Sequence, residues 1–260
     1  MISLYNVNKP VDTLSNLKSL THLRFELTFG SLTFLSQLLS TLPSITRLTL
    51  ERVSLEYGSE NAVDLNDPKL YSSLSRLRTI EITHDLGTSR SPTLHQFLFH
   101  SPVSLNLTRL QYCGYIDDVK YPSISNFLRT SGSSLQELKL AAYFVTCIDF
   151  DLGLQSCHSI RTLEITGISR TNFAQVNRAL LRLGSPLLWR LAFKFDASFM
   201  TPTDMISSKP DWGILDTTLQ KQSPKGLKEV AIDIHRGVKI SDLLPRTSIS
   251  RILRREIIPE

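Results

Sequence analysis

A six-residue pattern, φ-x-x-φ-x-φ with φ aliphatic or aromatic, returns eight times along the chain and constrains what it can fold into. The copies are Leu20-Leu23-Phe25, Ile45-Leu48-Leu50, Leu77-Ile80-Ile82, Leu107-Leu110-Tyr112, Leu135-Leu138-Leu140, Ile160-Leu163-Ile165, Leu188-Leu191-Phe193 and Leu227-Val230-Ile232. With the middle φ as anchor, successive spacings are 25, 32, 30, 28, 25, 28 and 39 residues. Apolar and polar positions alternate within each copy, which is the period of a strand. The segments between copies carry the helical period instead. Leu32, Leu35, Leu38, Leu39 and Leu42 form one such stripe, and Phe173, Val176, Leu180 and Leu183 another. Leu94-Phe97-Leu98-Ser101-Ser104-Leu105 reappears thirty residues later as Ile124-Phe127-Leu128-Ser131-Ser134-Leu135. Pro92 and Pro122 stand where a first helical turn tolerates a missing N–H. Each unit reads as a short strand, a turn and a helix.

One such unit cannot enclose a core alone, whereas stacked neighbours join their inner leucines into a continuous one. The expected architecture is α/β: a leucine-rich-repeat solenoid, or horseshoe, of about eight degenerate repeats, with parallel strands on the concave face and helices on the convex face. It occupies residues 1–260 as one domain, with an inserted loop or helix at 201–226 and a C-terminal cap at 240–260. Leucine supplies 43 of the 260 residues and glycine 11. No G-x-G-x-x-G or P-loop occurs, which argues against a doubly wound nucleotide-binding sheet. The repeats depart from the usual Asn or Cys five positions past the anchor, showing Thr28, Val53, Asp85, Tyr115, Tyr143, Ile168, Asp196 and His235 instead.

The two ends carry separate expectations. Ile2-Leu4-Val7 matches the second half of a repeat, as in Leu48-Leu50-Val53, so the chain starts mid-repeat or opens on a short capping strand. Within the longest spacing, Trp212, Leu215, Asp216 and Leu219 fit a helix. After the last copy, Ile249, Ile252, Leu253 and Ile257 make an apolar stripe with Arg251, Arg254 and Arg255 around it, read as a basic amphipathic helix that caps the solenoid. The formal charge of +5 belongs to this end: residues 1–220 hold 20 Lys and Arg against 19 Asp and Glu, and residues 221–260 hold 9 against 5. A nucleic-acid or membrane-surface binder using that tail is the alternative functional class.

Chemistry is hard to find. There is no G-x-S-x-G, no H-E-x-x-H and no kinase motif set. His95 and His100 are five residues apart, the wrong helical geometry for a shared metal. Asp149-x-Asp151-x-Gly153 starts like a calcium loop, but Ile160 stands where the closing Glu should be. His84-Asp85 is a chance neighbour pair, Asp117-Asp118 a solvated loop, and Asn106-Leu107-Thr108 a sequon in form only. Cys113, Cys147 and Cys157 are too few and too unevenly spaced for a disulfide framework or a zinc site. No catalytic residue, metal or cofactor is expected, nor a small-molecule substrate. No segment reaches the apolar length of a membrane span, and Met1 to Pro10 lacks a signal-peptide pattern, so an intracellular protein of cytoplasm or nucleus is expected.

Function should therefore lie on the outward positions of the strands. Alternation assigns His22, Arg24, Glu26; Arg47, Thr49, Glu51; Thr79, Glu81, Thr83; and Arg109, Gln111, Cys113 to successive strands. The later ones give Glu137, Lys139, Ala141; Thr162, Glu164, Thr166; Arg190, Ala192, Lys194; and Glu229, Ala231, Asp233. Both signs are represented, so this is no phosphate-tracking groove. Two readings stay open: the charges pair laterally across the sheet, or they dock a protein. The docking candidates are Arg24, Arg47, Glu81, Arg109, Gln111, Lys139, Glu164, Arg190 and Lys194, with Arg47, Arg109 and Arg190 as anchors because arginine is enriched at interface hot spots.

The repeats, together with Trp212-Gly213-Ile214-Leu215-Asp216-Thr217-Thr218-Leu219, Leu227-Lys228-Glu229-Val230-Ala231-Ile232, Leu243-Leu244-Pro245 and Ile252-Leu253, resemble the leucine-rich C-terminal region of fungal F-box proteins. The F-box itself is absent from this chain. The resemblance implies a substrate-recognition region of a ubiquitin-ligase receptor, with the cullin-ligase adaptor as a partner only where an F-box precedes it.

Overall fold

A computed structural model describes residues 2–5, 18–26, 32–53, 74–83, 98–99, 107–114, 123–142, 152–196, 201–222, 226–233, 243–244 and 253–255. Strands β1 (Ile2–Tyr5), β2 (His22–Glu26), β3 (Arg47–Glu51), β4 (Thr79–Thr83) and β5 (Arg109–Gly114) lie side by side in that order. They continue into β6 (Glu137–Ala142), β7 (Thr162–Ile168), β8 (Arg190–Phe195), β9 (Glu229–Asp233) and β10 (Leu253–Arg255), giving one open sheet in chain order. All nine pairings are parallel. Each connection thus returns the chain to the same end of the next strand, and the molecule advances by one strand per unit in a solenoid-like arrangement.

The register puts the anchors in one row. Leu23, Leu48, Ile80, Leu110, Leu138, Leu163, Leu191 and Val230 are consecutive partners across the sheet. Ile2 extends that row at one end and Leu253 at the other. The second row, Phe25 to Ile232, runs two residues on. A slip by one residue would turn every anchor to the opposite face, so burial of this face specifies the register strongly. All eight anchors are no more than 2 % exposed. They belong to one continuous core with the second row and the inward sides of the helices.

The returns differ from unit to unit. Helix α1 (Leu32–Thr41) buries Leu35, Leu38 and Leu39, and α2 (Ser123–Ser131) buries Ile124, Phe127 and Leu128. Helix α3 (Phe173–Leu181) buries Phe173, Val176 and Leu180. In the longest unit, α4 (Pro202–Ser207) and α5 (Lys209–Gln222) follow one another. A capping box starts α4: the Thr201 hydroxyl accepts from the Asp204 N–H, and the Asp204 carboxylate accepts from the Thr201 N–H. Helix α5 lowers Trp212, Leu215 and Leu219 into the core. The Trp212 ring meets Phe173 at 4.8 Å and Phe195 at 5.1 Å between centroids, joining it to α3 and β8.

A repeated backbone device precedes each strand from β3 to β9. The Thr21 carbonyl accepts from the N–H groups of both Thr46 and Arg47 in the next unit, and the Thr46 carbonyl from Arg78 and Thr79. Arg78, Thr108, Gln136, Arg161 and Trp189 do the same for their successors, ending with Lys228 and Glu229. Seven consecutive forked rungs therefore satisfy the backbone where β3 to β9 enter the sheet, one N–H of each fork belonging to the first ladder residue and the other to the residue just before it.

One expectation is corrected. Residues 253–255 form a strand paired with β9, not part of an amphipathic helix. The apolar stripe fitted a helix by spacing, but the open edge of β9 offers hydrogen bonds that an added strand satisfies; Ile249, Ile252 and Ile257 lie outside the described residues. Between Leu138 and Leu163, the described part of the return, residues 152–161, carries a 3₁₀ turn, Leu154–Ser156; residues 143–151 lie outside the described residues. The helix pattern at Leu94 and Phe97, and His84, Asp85, His95, His100, Asn106, Asp117, Asp118, Cys147, Asp149 and Asp151, also lie outside them. No helix among the described residues is long and apolar enough to cross a membrane.

Candidate functional site

Strand alternation sends the residues beside each anchor to the face opposite the core, in three columns that cross β2 to β9. The first runs His22, Arg47, Thr79, Arg109, Glu137, Thr162, Arg190 and Glu229. The middle column runs Arg24, Thr49, Glu81, Gln111, Lys139, Glu164, Ala192 and Ala231. The third begins at Glu26 and Glu51 and closes at Lys194 and Asp233. All nine docking candidates thus stand on one face.

The structure brings most of them together as pairs. At one end Arg24 Nη2 contacts Glu51 Oε2 at 2.6 Å. Next along, Arg47 Nη2 donates to both oxygens of Glu81, at 2.8 and 2.9 Å. The Thr49 hydroxyl donates to Glu81 Oε2 at 3.1 Å, and His22 Nε2 lies 3.1 Å from that hydroxyl. Arg109 reaches Glu137 at 3.3 Å and Glu81 at 3.9 Å. Lys139 and Lys194 share Glu164, at 3.1 and 3.6 Å. Arg190 meets Glu229 at 3.3 Å. Gln111 takes part through a long contact, Nε2 to Cys113 Sγ at 3.9 Å.

The pairs are not all straight across the ladder. Arg24–Glu51, Arg47–Glu81 and Lys194–Glu164 are diagonal, because long side chains reach past the directly opposite position. Exposed cross-strand pairs of this kind contribute about 0.2–1 kcal/mol each. Glu81 is the special member, with its side chain only 11 % exposed. Burial pushes its carboxyl up, but the hydrogen bonds and charge of Arg47, the Thr49 hydroxyl and the Arg109 charge together hold it below the ordinary glutamate value. Burial and the Arg47 charge lower His22, so its ring is neutral at pH 7 and able to share the Thr49 hydroxyl. Burial also raises both described thiols, Cys157 to about 12, which suppresses the reactive thiolate.

Sequence reasoning named the cations and Glu81 but left Glu51, Thr49, Glu137 and Glu229 among the bystanders of the same face. Their signal was present in the register, since each lies one strand from an unpaired-looking arginine. Among the described residues, no group of three or more His, Cys, Asp or Glu could hold a metal ion. What the face offers is a broad lattice of both signs, hydrogen-bonded from Arg24 to Glu81 and held by ion pairs from Arg109 onward. Neither the models of known protein families nor the curated proteins contain a match to this chain.

Proposed function

We propose that the chain is a non-catalytic docking scaffold, a leucine-rich-repeat solenoid whose sheet face is concave and holds a protein partner. The observation that carries this reading is the continuity of that face. Eight consecutive strands present three outward columns in unbroken register, and the charged side chains on them are held in place by one another. Side chains ordered before binding lose less entropy on binding, which favours recognition over a surface of free arginines and lysines. Arg47, Arg109 and Arg190 are the proposed anchors; Arg24, Glu81, Gln111, Lys139, Glu164 and Lys194 complete the surface. The resemblance to fungal F-box proteins supports a narrower reading, in which the partner is a substrate delivered to a ubiquitin ligase.

Pull-down from a cell extract compares the intact chain with an Arg109→Glu/Arg190→Glu variant. Proteins recovered by the first and lost by the second support docking on this face. Equal recovery by both would overturn it. The ligase reading is tested by the genomic sequence upstream of Met1, where an in-frame F-box supports it and its absence removes the link to ubiquitination.

A further inference from the structure

The short segments that lead into the strands form a rim along one edge of the sheet, and its charge differs from that of the face. The face mixes both signs. On the rim, residues 18–21, 43–46, 75–78, 107–108, 133–136, 158–161, 184–189 and 226–228 include exposed Lys18, Arg76, Arg78, Arg161 and Lys228, and no aspartate or glutamate, although Glu137 and Glu229 begin the strands directly after two of these segments. The apolar content is uneven too. Most rim positions hold Ser, Thr, Gln or a cation, but Leu187 and Trp189 are 51 % and 41 % exposed. The forked rungs place the latter between two cations: the Trp189 N–H donates to the Arg161 carbonyl at 3.0 Å, and the Lys228 N–H to the Trp189 carbonyl at 2.8 Å. With strands about 4.8 Å apart, Arg161, Trp189 and Lys228 span about 10 Å of rim.

We propose that this part of the rim docks an acidic protein segment bearing one large apolar side chain. Trp189 and Leu187 cover the apolar residue, and Arg161 and Lys228 receive the carboxylates on either side. Charge complementarity favours an anionic occupant, since Arg161 and Lys228 are exposed and the carboxylate beside them, Glu229, is paired with Arg190. The apolar pair favours a peptide over a nucleic acid. A single-strand binder repeats aromatic platforms for successive bases and tracks the backbone with many cations, whereas here one aromatic ring stands beside an aliphatic chain and two cations. Tryptophan and arginine are also enriched at protein hot spots. This surface borders the sheet face, Trp189 preceding Arg190 and Lys228 preceding Glu229, and its test uses variants that leave the residues of that face unchanged.

The test uses intrinsic fluorescence of the full chain, because Trp189 is exposed and the other tryptophan, Trp212, is buried. The probe is a ten-residue peptide of Asp and Glu around one central Phe. Saturable blue-shifted emission and protection of Trp189 from acrylamide are expected, both absent in Trp189→Phe. Arg161→Glu/Lys228→Glu should weaken binding at least tenfold, whereas the charge-matched Arg129→Glu/Lys221→Glu on the helical layer should stay within twofold. Replacing the peptide's Phe by Ser should weaken binding at least fivefold, a comparison that leaves the protein untouched. The proposal is overturned by no saturable change, by equal loss in both double variants, by equal binding of the two peptides, or by a ten-nucleotide single strand binding more tightly than the acidic peptide.

Discussion

The returns between β5 and β8 and the return between β8 and β9 solve the same problem with opposite means. In the first, successive returns lie against one another. A Cβ added to Gly132 would sit 2.6 Å from Cys157 Sγ, and one on Gly184, a unit further on, 2.7 Å from the Gln155 carbonyl oxygen. In the second, two helices and a tryptophan fill the layer, and a Cβ on Gly213 would meet nothing within 4 Å. Yet the strands that follow, β7 and β9, join the sheet in the same register and through the same forked rung. The difference teaches that the inward rows set the register, and that a return need only fill its share of the helical layer, with small residues where returns pass closely and a large ring where helices stand further apart, as Trp212 does against Phe173 of α3.

The comparison can be broken at its heaviest residue. Trp212→Ala empties the space between Phe173 and Phe195 and should cost about 3–5 kcal/mol, seen as a lower denaturant midpoint. A loss under about 1 kcal/mol would show that the long return does not share the core. The tight returns are probed by Gly132→Ala, expected to cost about 1–3 kcal/mol through overpacking against Cys157. Adding Cys157→Ala should recover part of that loss, so the two changes are non-additive in a double-mutant cycle. Simple additivity would mean that the returns are not in contact. Gly213→Ala tests the opposite case: with open space around it in the middle of α5, the substitution should raise stability by about 0.5–1 kcal/mol. Destabilisation would place something against that helix.

The smallest expected effect lies on the sheet face and is read by pH. The Glu81 carboxyl is held below its ordinary value of 4.5, so its contribution is fully present above that value and is lost as pH falls through the lower folded one. Glu81→Gln should flatten the acid side of the stability profile by a fraction of a kcal/mol to about 1 kcal/mol. An unchanged acid limb would show that the Arg47 and Thr49 contacts do not persist in solution.

Much of this architecture was legible in the sequence, and for a physical reason. The eight anchors could be aligned by eye because one side of every strand has a single task, burial, and aliphatic residues accomplish it in every unit. The outward columns were legible as positions, since alternation requires only counting. Their pairing was half legible: Lys139–Glu164 lies straight across the ladder, but Arg47–Glu81 runs diagonally, and side-chain length decides that. The forked rungs left no trace because a backbone carbonyl has no residue signature, and Thr21, Arg78 and Trp189 serve equally. The strand at Leu253–Arg255 was misread because apolar spacing alone does not reveal that an unpaired sheet edge lies nearby.

Hydrogen exchange at the rungs tests the central claim most directly. The Arg161 and Thr162 amides follow a shorter return, and the Lys228 and Glu229 amides follow the longest one; each pair donates to a single carbonyl of the preceding unit. If register is set by the inward rows and not by the returns, the two pairs should show protection within about tenfold of each other. Rungs at Lys228 and Glu229 that exchange like open loop amides, while those at Arg161 and Thr162 stay protected, would contradict the account.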